Sequence, residues 1–146
     1  RSGGADTHTH TSGVAHLAAE DEQGVLAAIR ALHSYIPSNN QEDPPVVPSD
    51  DAANRACPEL DELVPTNPNK PYDIKDVIQS VVDRDSFLEV QPDYAANVVI
   101  GFCRLGGRSV GIVANQPAHL AGVLDVNASI KAARFVRFCD AFNIPL

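Results

Sequence analysis

Proline placement constrains this chain more than any other feature. Eight of its 11 prolines stand between residues 37 and 71: Pro37, Pro44, Pro45, Pro48, Pro58, Pro65, Pro68 and Pro71. Proline fixes φ and lacks a backbone N–H, so it is excluded from helix interiors and central strands. Regular structure is therefore forbidden over most of that span. The stretch reads as a stiff, extended connector with a structural unit on each side, leaving room for one helical turn at Glu59–Val64.

Before the connector, Gly3 to His16 is rich in Gly, Thr and His and reads as a loop or short strand. Glu20 to Tyr35 then carries Val25, Leu26, Ile29, Leu32 and Ile36 at helical spacing, with acids at its N-terminal end where the helix dipole favours them. Pro37 stops it. After the connector, Asp73 is suited to cap a short helix through Val82 whose buried side is Ile74, Val77, Ile78 and Val81. Asp83-Arg84-Asp85 turns the chain, and Ser86–Val90 can be a strand. The clearest β signal follows. Asn97–Arg104 and Ser109–Asn115 flank Leu105-Gly106-Gly107-Arg108, as expected of a hairpin whose turn needs positive φ. Asn127 or Ser129 starts a last helix through Phe142, with Phe135, Phe138 and Phe142 on one face, Lys131 bordering them, and Arg134 and Arg137 on a flank. Asn143–Leu146 reads as the first step into a further strand, so the native polypeptide is expected to continue. The start at Arg1 rather than Met reads as processing or truncation, and no secretion leader is recognised there.

Composition narrows the classes of function. With 44% hydrophobic and 21% charged residues, the chain can bury a core. Apolar runs such as Val98–Ile100 fall far short of the roughly 20 residues that cross a bilayer, so no membrane span is expected. The net charge of −8 argues against nucleic acid as the main partner. That charge is uneven. Residues 1–93 hold 6 Lys/Arg against 17 Asp/Glu, and residues 94–146 hold 5 against 2, so an anionic ligand or an acidic face would prefer the C-terminal third. Cys57, Cys103 and Cys139 have neither paired nor metal-binding spacing, which points to a reducing compartment and no zinc site.

Three clusters could carry chemistry. Asp6, His8, His10, Ser12 and His16 resemble a metal or hydrolase kit, but without a nucleophile elbow they read better as loop hydrogen-bonders. Gly106-Gly107 could offer amides to an oxyanion, though a hairpin turn explains the pair more simply. Lys131, Arg134 and Arg137 could meet phosphates or form a solvated helix face. Cys103 and Cys139 read as small core residues. The residues by themselves lead to a mixed α/β piece with a basic C-terminal part and no self-contained active site.

Longer segments carry a resemblance. Gly3–His16 (GGADTHTHTSGVAH) is similar to the segment that ends the N-terminal half of biotin-dependent acyl-CoA carboxylase β subunits, the carboxyltransferases. Tyr35–Asn40, Asn69–Asp73 and Phe87–Pro92 fit the same family. Val113–Pro117 with Gly122–Asp125 is more specific, and Lys131–Leu146 (KAARFVRFCDAFNIPL) more specific still. The chain resembles the family throughout, most closely its propionyl-CoA branch.

The resemblance implies an α/β, crotonase-like carboxyltransferase fold, of which this is a partial segment spanning two halves. Residues 1–43 would be the tail of the N-terminal half, 44–71 the Pro-rich linker and 72–146 the beginning of the C-terminal half. It implies transfer of a carboxyl group from carboxybiotin to the α-carbon of propionyl-CoA, giving methylmalonyl-CoA. A methylmalonyl-CoA decarboxylase or transcarboxylase subunit is the alternative, and an inert structural or interaction module is the alternative for this chain alone. Expected partners are further β subunits in a hexamer and a biotin-carrying α subunit, where ATP and bicarbonate are consumed. The expected compartment is a bacterial cytoplasm or the mitochondrial matrix. Two oxyanions would be stabilised by backbone donors from segments flanking this one, so no catalytic residue and no metal ligand is assigned here. The resemblance associates Gln79–Ile112 with acyl-CoA binding, through Arg104, Gly106, Gly107 and Arg108; a plain core hairpin is the competing reading. It places Asn115, Pro117 and Gly122 on the biotin side or at an interface.

Overall fold

The computed structural model describes residues 4–146; Gly3, where the first expected segment begins, and Arg1-Ser2 lie outside the described residues. At the centre is an antiparallel sheet of β1 (Leu88–Val90), β2 (Val98–Leu105) and β3 (Arg108–Asn115), in the order β1-β2-β3. The register runs from Val98 opposite Asn115 to Leu105 opposite Arg108. Gly106 and Gly107 alone form the turn, with φ of +58° and +77°, the mirror-image geometry that matches the right-handed twist of the strands.

Residues 98–103 of β2 are all buried because this strand is covered on both faces. On one face Ile100 and Phe102 meet Phe135 and Cys139 of α4 (Val126–Ala141), together with Tyr35 and Ile144. On the other, Val99 and Cys103 meet Ile78 of α3 (Ile74–Val81) and Val82. Phe102 is the hub of the first cluster, edge-on to Phe135 at 5.1 Å and stacked on Tyr35 at 5.8 Å. Such pairs add about 0.5–1.5 kcal/mol beyond the area they bury.

Each longer helix starts at an aspartate whose carboxylate accepts a backbone N–H of the first turn. In α1 (Glu22–His33) Asp21 accepts from Gly24, in α3 Asp73 accepts from Lys75, and in α4 Asp125 accepts from Ala128. The proline-rich stretch is irregular apart from the single turn of α2 (Leu60–Leu63), and it is moored rather than free. Arg55 pairs with Asp51 and donates to the carbonyls of Ser80 and Val82 at the end of α3. Val47 N–H donates to Gly107 O at the hairpin turn.

Several expectations are corrected. The stretch before His16 is neither loop nor strand over Thr7–Thr11 but a wide helical turn. The Thr9 hydroxyl donates back to Ala5 O there. The first helix begins at Glu22 rather than Glu20, and no residue within it is buried. Leu32 and Ile36 pack on the core, while Val25, Leu26 and Ile29 remain exposed. Val81, expected on the buried side of its helix, is also exposed; Val82 takes that place. Asn143–Leu146 is not a strand, although Gly111 N–H of β3 already donates to Pro145 O.

Candidate functional site

The hairpin turn gathers the residues singled out for anion binding, and most of their donors are occupied from within. The N–H groups of Gly106 and Gly107 donate to the two carboxylate oxygens of Asp83, at 2.8 and 2.7 Å. Burial opposes the charge on Asp83, but these amides outweigh it and hold the carboxyl below its ordinary range. The glycine pair is thus an anion-binding turn whose anion is the chain's own.

Arg104, at the end of β2, lays its guanidinium 4.0 Å over the Tyr35 ring and donates to the carbonyl and hydroxyl of Ser34. The Tyr35 hydroxyl donates to Ser86 O. Burial raises the Tyr35 pKa against the opposing effect of Arg104. Arg104 therefore clips the end of α1 to the sheet. Arg108 remains exposed, its backbone bridged to Val46.

A second corner follows β3. Asn115 donates from Nδ2 to Gly122 O at 2.6 Å. Gln116, buried, accepts from Ile74 N–H and donates to Asp73, tying the corner to the start of α3. Leu120, Ala121 and Gly122 all have positive φ, an unfavourable conformation for the first two. Their path leaves Leu120, Val123 and Val126 largely exposed, beside half-buried Pro117.

The basic flank of α4 needs correction. Arg134 and Arg137 are exposed and, among the described residues, make no ion pair. Lys131 is instead one of the most buried side chains in the structure. Its Nζ donates to the carbonyls of Gln91, Tyr94 and Val98 at 2.9, 2.7 and 2.8 Å, with Ala95 O at 3.3 Å. Burial lowers its pKa to about 8, against the pull of Glu89 and Asp93. Ala128, Lys131, Phe135 and Cys139 lie at i, i+3, i+7 and i+11 and are the buried stripe of α4.

The histidine segment makes local bonds. His8 contacts Ser12 at 3.3 Å, His10 contacts Asp6 O at 3.2 Å, and His16 contacts Val14 O at 3.1 Å. Among the described residues, no group of three or more His, Cys, Asp or Glu side chains converges to hold a metal ion. Cys103 and Cys139 are core residues, their thiols pushed up to about 11 by burial. An open apolar cavity of ≈ 430 Å³ lies between Leu32, Ile100, Phe102 and Phe138, with His16 and Arg134 among the residues around it. No sequence pattern pointed to it, because its walls come from five separated segments.

The whole chain, residues 1–146, matches the carboxyl transferase domain model. It is 59% identical over 144 residues to a propionyl-CoA carboxylase carboxyltransferase subunit of Haloferax mediterranei, covering 99% of this chain and 28% of that protein. It is 54% identical to the methylmalonyl-CoA decarboxylase subunit alpha of Veillonella parvula, with the same coverage. Among solved structures it superposes with a TM-score of 0.94, at 47% identity, on a transcarboxylase 12S hexamer with methylmalonyl-coenzyme A and methylmalonic acid bound. That match covers 99% of this chain and 28% of the other.

Proposed function

This chain belongs to the carboxyl transferase domain family, and from that premise we propose that it is part of the carboxyltransferase subunit of a biotin-dependent acyl-CoA carboxylase acting on propionyl-CoA. The observation that carries this reading is the match over 144 residues, 99% of this chain, at 59% identity, to a propionyl-CoA carboxylase subunit. The chain spans about 28% of that relative's length, so the activity is proposed for the longer polypeptide. Residues 1–43 and 72–146 would contribute to two crotonase-like halves joined by the moored stretch 44–71. The subunits would form a hexamer, with the biotin carrier on a partner that consumes ATP and bicarbonate, in a bacterial cytoplasm or the mitochondrial matrix.

In this reading the acyl-CoA phosphates meet the hairpin through Arg108, the one expected cation there that is exposed. Gly106 and Gly107 support the turn, since Asp83 occupies their amides. Biotin, when bound, supplies the carboxyl group. Asn115, Pro117 and Gly122 would meet it, or a partner, at the corner after β3. The Asn115 amide is engaged by Gly122, and the N–H groups of Ala118, His119, Gly122 and Val123 are engaged locally. No transfer step is therefore assigned to them; what the corner offers is an apolar, exposed interface.

The second reading is a methylmalonyl-CoA decarboxylase or transcarboxylase subunit, favoured by the 54% identity and the 0.94 superposition. The complete polypeptide, reconstituted with its biotin-bearing partner, is expected to incorporate labelled bicarbonate into propionyl-CoA when ATP is present. Release of CO₂ from methylmalonyl-CoA with no such incorporation supports the second reading. Neither reaction in an assembled complex refutes both.

A further inference from the structure

Lys131 makes an unusual set of contacts for a lysine. Its ammonium sits among four main-chain carbonyls of one loop, residues 91–98, and no carboxylate is bonded to it. Carbonyl dipoles converging on one point repel one another, so such a loop requires a cation at its centre. Gln91 and Ala95 hold positive φ within the same loop, at +52° and +45°, as needed to turn carbonyls inward. The outer side of the loop grips the N-terminal segment. Gln91 N–H donates to His16 O at 2.8 Å, and Gln91 Nε2 donates to Gly13 O at 2.7 Å. The Tyr94 ring lies where a side chain on residue 13 would otherwise be.

We propose that Lys131 is a positioning residue, the tethered cation around which the 91–98 loop folds, and that through this loop it fixes residues 13–16 against the sheet and α4. Lys131 does for the loop what a bound monovalent cation would do, but its stem anchors the charge to α4 and so transmits the position of that helix to the segment preceding α1. Where 13–16 ends one half of the protein and α4 belongs to the other, a point that rests on the carboxyltransferase reading, Lys131 sets how the two halves meet.

The test is hydrogen exchange in the complete polypeptide, which requires no activity, so its failure and that of the functional reading are distinguishable. In Lys131→Ala, the amides of Gln91, Tyr94 and Val98, the last bonded to Ala95 O of the loop, are expected to exchange about tenfold faster, while those of the β2–β3 ladder beyond Val98 keep their protection. Propylammonium, which replaces the missing stem and charge, is expected to restore protection; tetramethylammonium, which has no N–H, is not. The wild type supplies an arm that depends on no variant folding. Raising the pH through about 8, to which burial lowers the Lys131 pKa against the pull of Glu89 on β1 and Asp93 in the loop, takes the proton from the ammonium. Exchange at the same three amides, corrected for hydroxide catalysis, is then expected to rise. Unchanged protection in Lys131→Ala overturns the proposal, as does rescue by tetramethylammonium.

Discussion

At Gly107 a Cβ would lie inside contact distance of Val47 O, and φ is +77°. At Gly106 φ is +58°, and the same added atom meets nothing. The two turn glycines therefore have different sensitivities. Gly107→Ala is expected to cost about 2–4 kcal/mol in thermal melts, whereas Gly106→Asn stays within about 0.5 kcal/mol of wild type, because asparagine tolerates the left-handed region. Asp83 gives the turn a pH dependence. Its folded-state pKa lies below the ordinary 3.8, so its stabilisation is complete above that value and disappears as pH falls through the folded pKa. Asp83→Asn is expected to lower Tm at about pH 6, and its difference from wild type to shrink as pH falls below the ordinary value of 3.8. A constant difference across that range would show that the carboxylate charge is not what holds the turn.

Among the elements, β2 is the one the fold depends on most, since each face of it supports a separate cluster. Phe102 contacts Tyr35, Phe135 and Phe138 within ring-centroid distances of 6.0 Å. Removing it opens a cavity that three aromatic rings cannot collapse into. Phe102→Ala is expected to cost about 3–5 kcal/mol, read as a lower denaturation midpoint. Val113 points from the adjacent strand into solvent, and Val113→Ala should cost under about 1 kcal/mol. The helices differ in what holds them. A buried stripe holds α4, whereas α1 is held by its Asp21 cap, the contacts of Leu32 and the Arg104 clip at its end, because Val25, Leu26 and Ile29 face outward.

Across the whole molecule, two exposed apolar surfaces stand out. One is Val25, Leu26 and Ile29 on α1; the other is the corner, where Leu120 is 68% and Val126 74% exposed. Apolar groups grouped this way are covered in a stable assembly or associate on their own. The 146-residue chain expressed alone is expected to self-associate, with a light-scattering mass above 15.6 kDa and strong binding of a hydrophobic dye. A monodisperse species of that mass would show that neither surface needs a partner. The charge asymmetry read along the chain is also reshaped in three dimensions. Lys131 leaves the surface for the core, and Arg104 is spent on Ser34 and Tyr35, so Arg108, Arg134 and Arg137 remain as the exposed cations of the C-terminal third.

Local chemistry was legible in the amino-acid order. The Gly106-Gly107 hairpin, the Asp73 cap and the broken path through the prolines are decided within three or four residues by φ preferences and one side-chain acceptor. The family, too, was legible from the Val113–Pro117 and Lys131–Leu146 segments. What only the tertiary structure decided involves partners distant in sequence. Lys131 meets carbonyls 33 to 40 residues away, and Asp83 meets amides 23 and 24 residues away. A helical wheel puts a lysine beside an aromatic stripe but does not say whether water or a ring of carbonyls lies beyond it. That depends on how the 91–98 loop closes over α4, because a charge is buried only where the rest of the chain brings enough dipoles to replace its hydration.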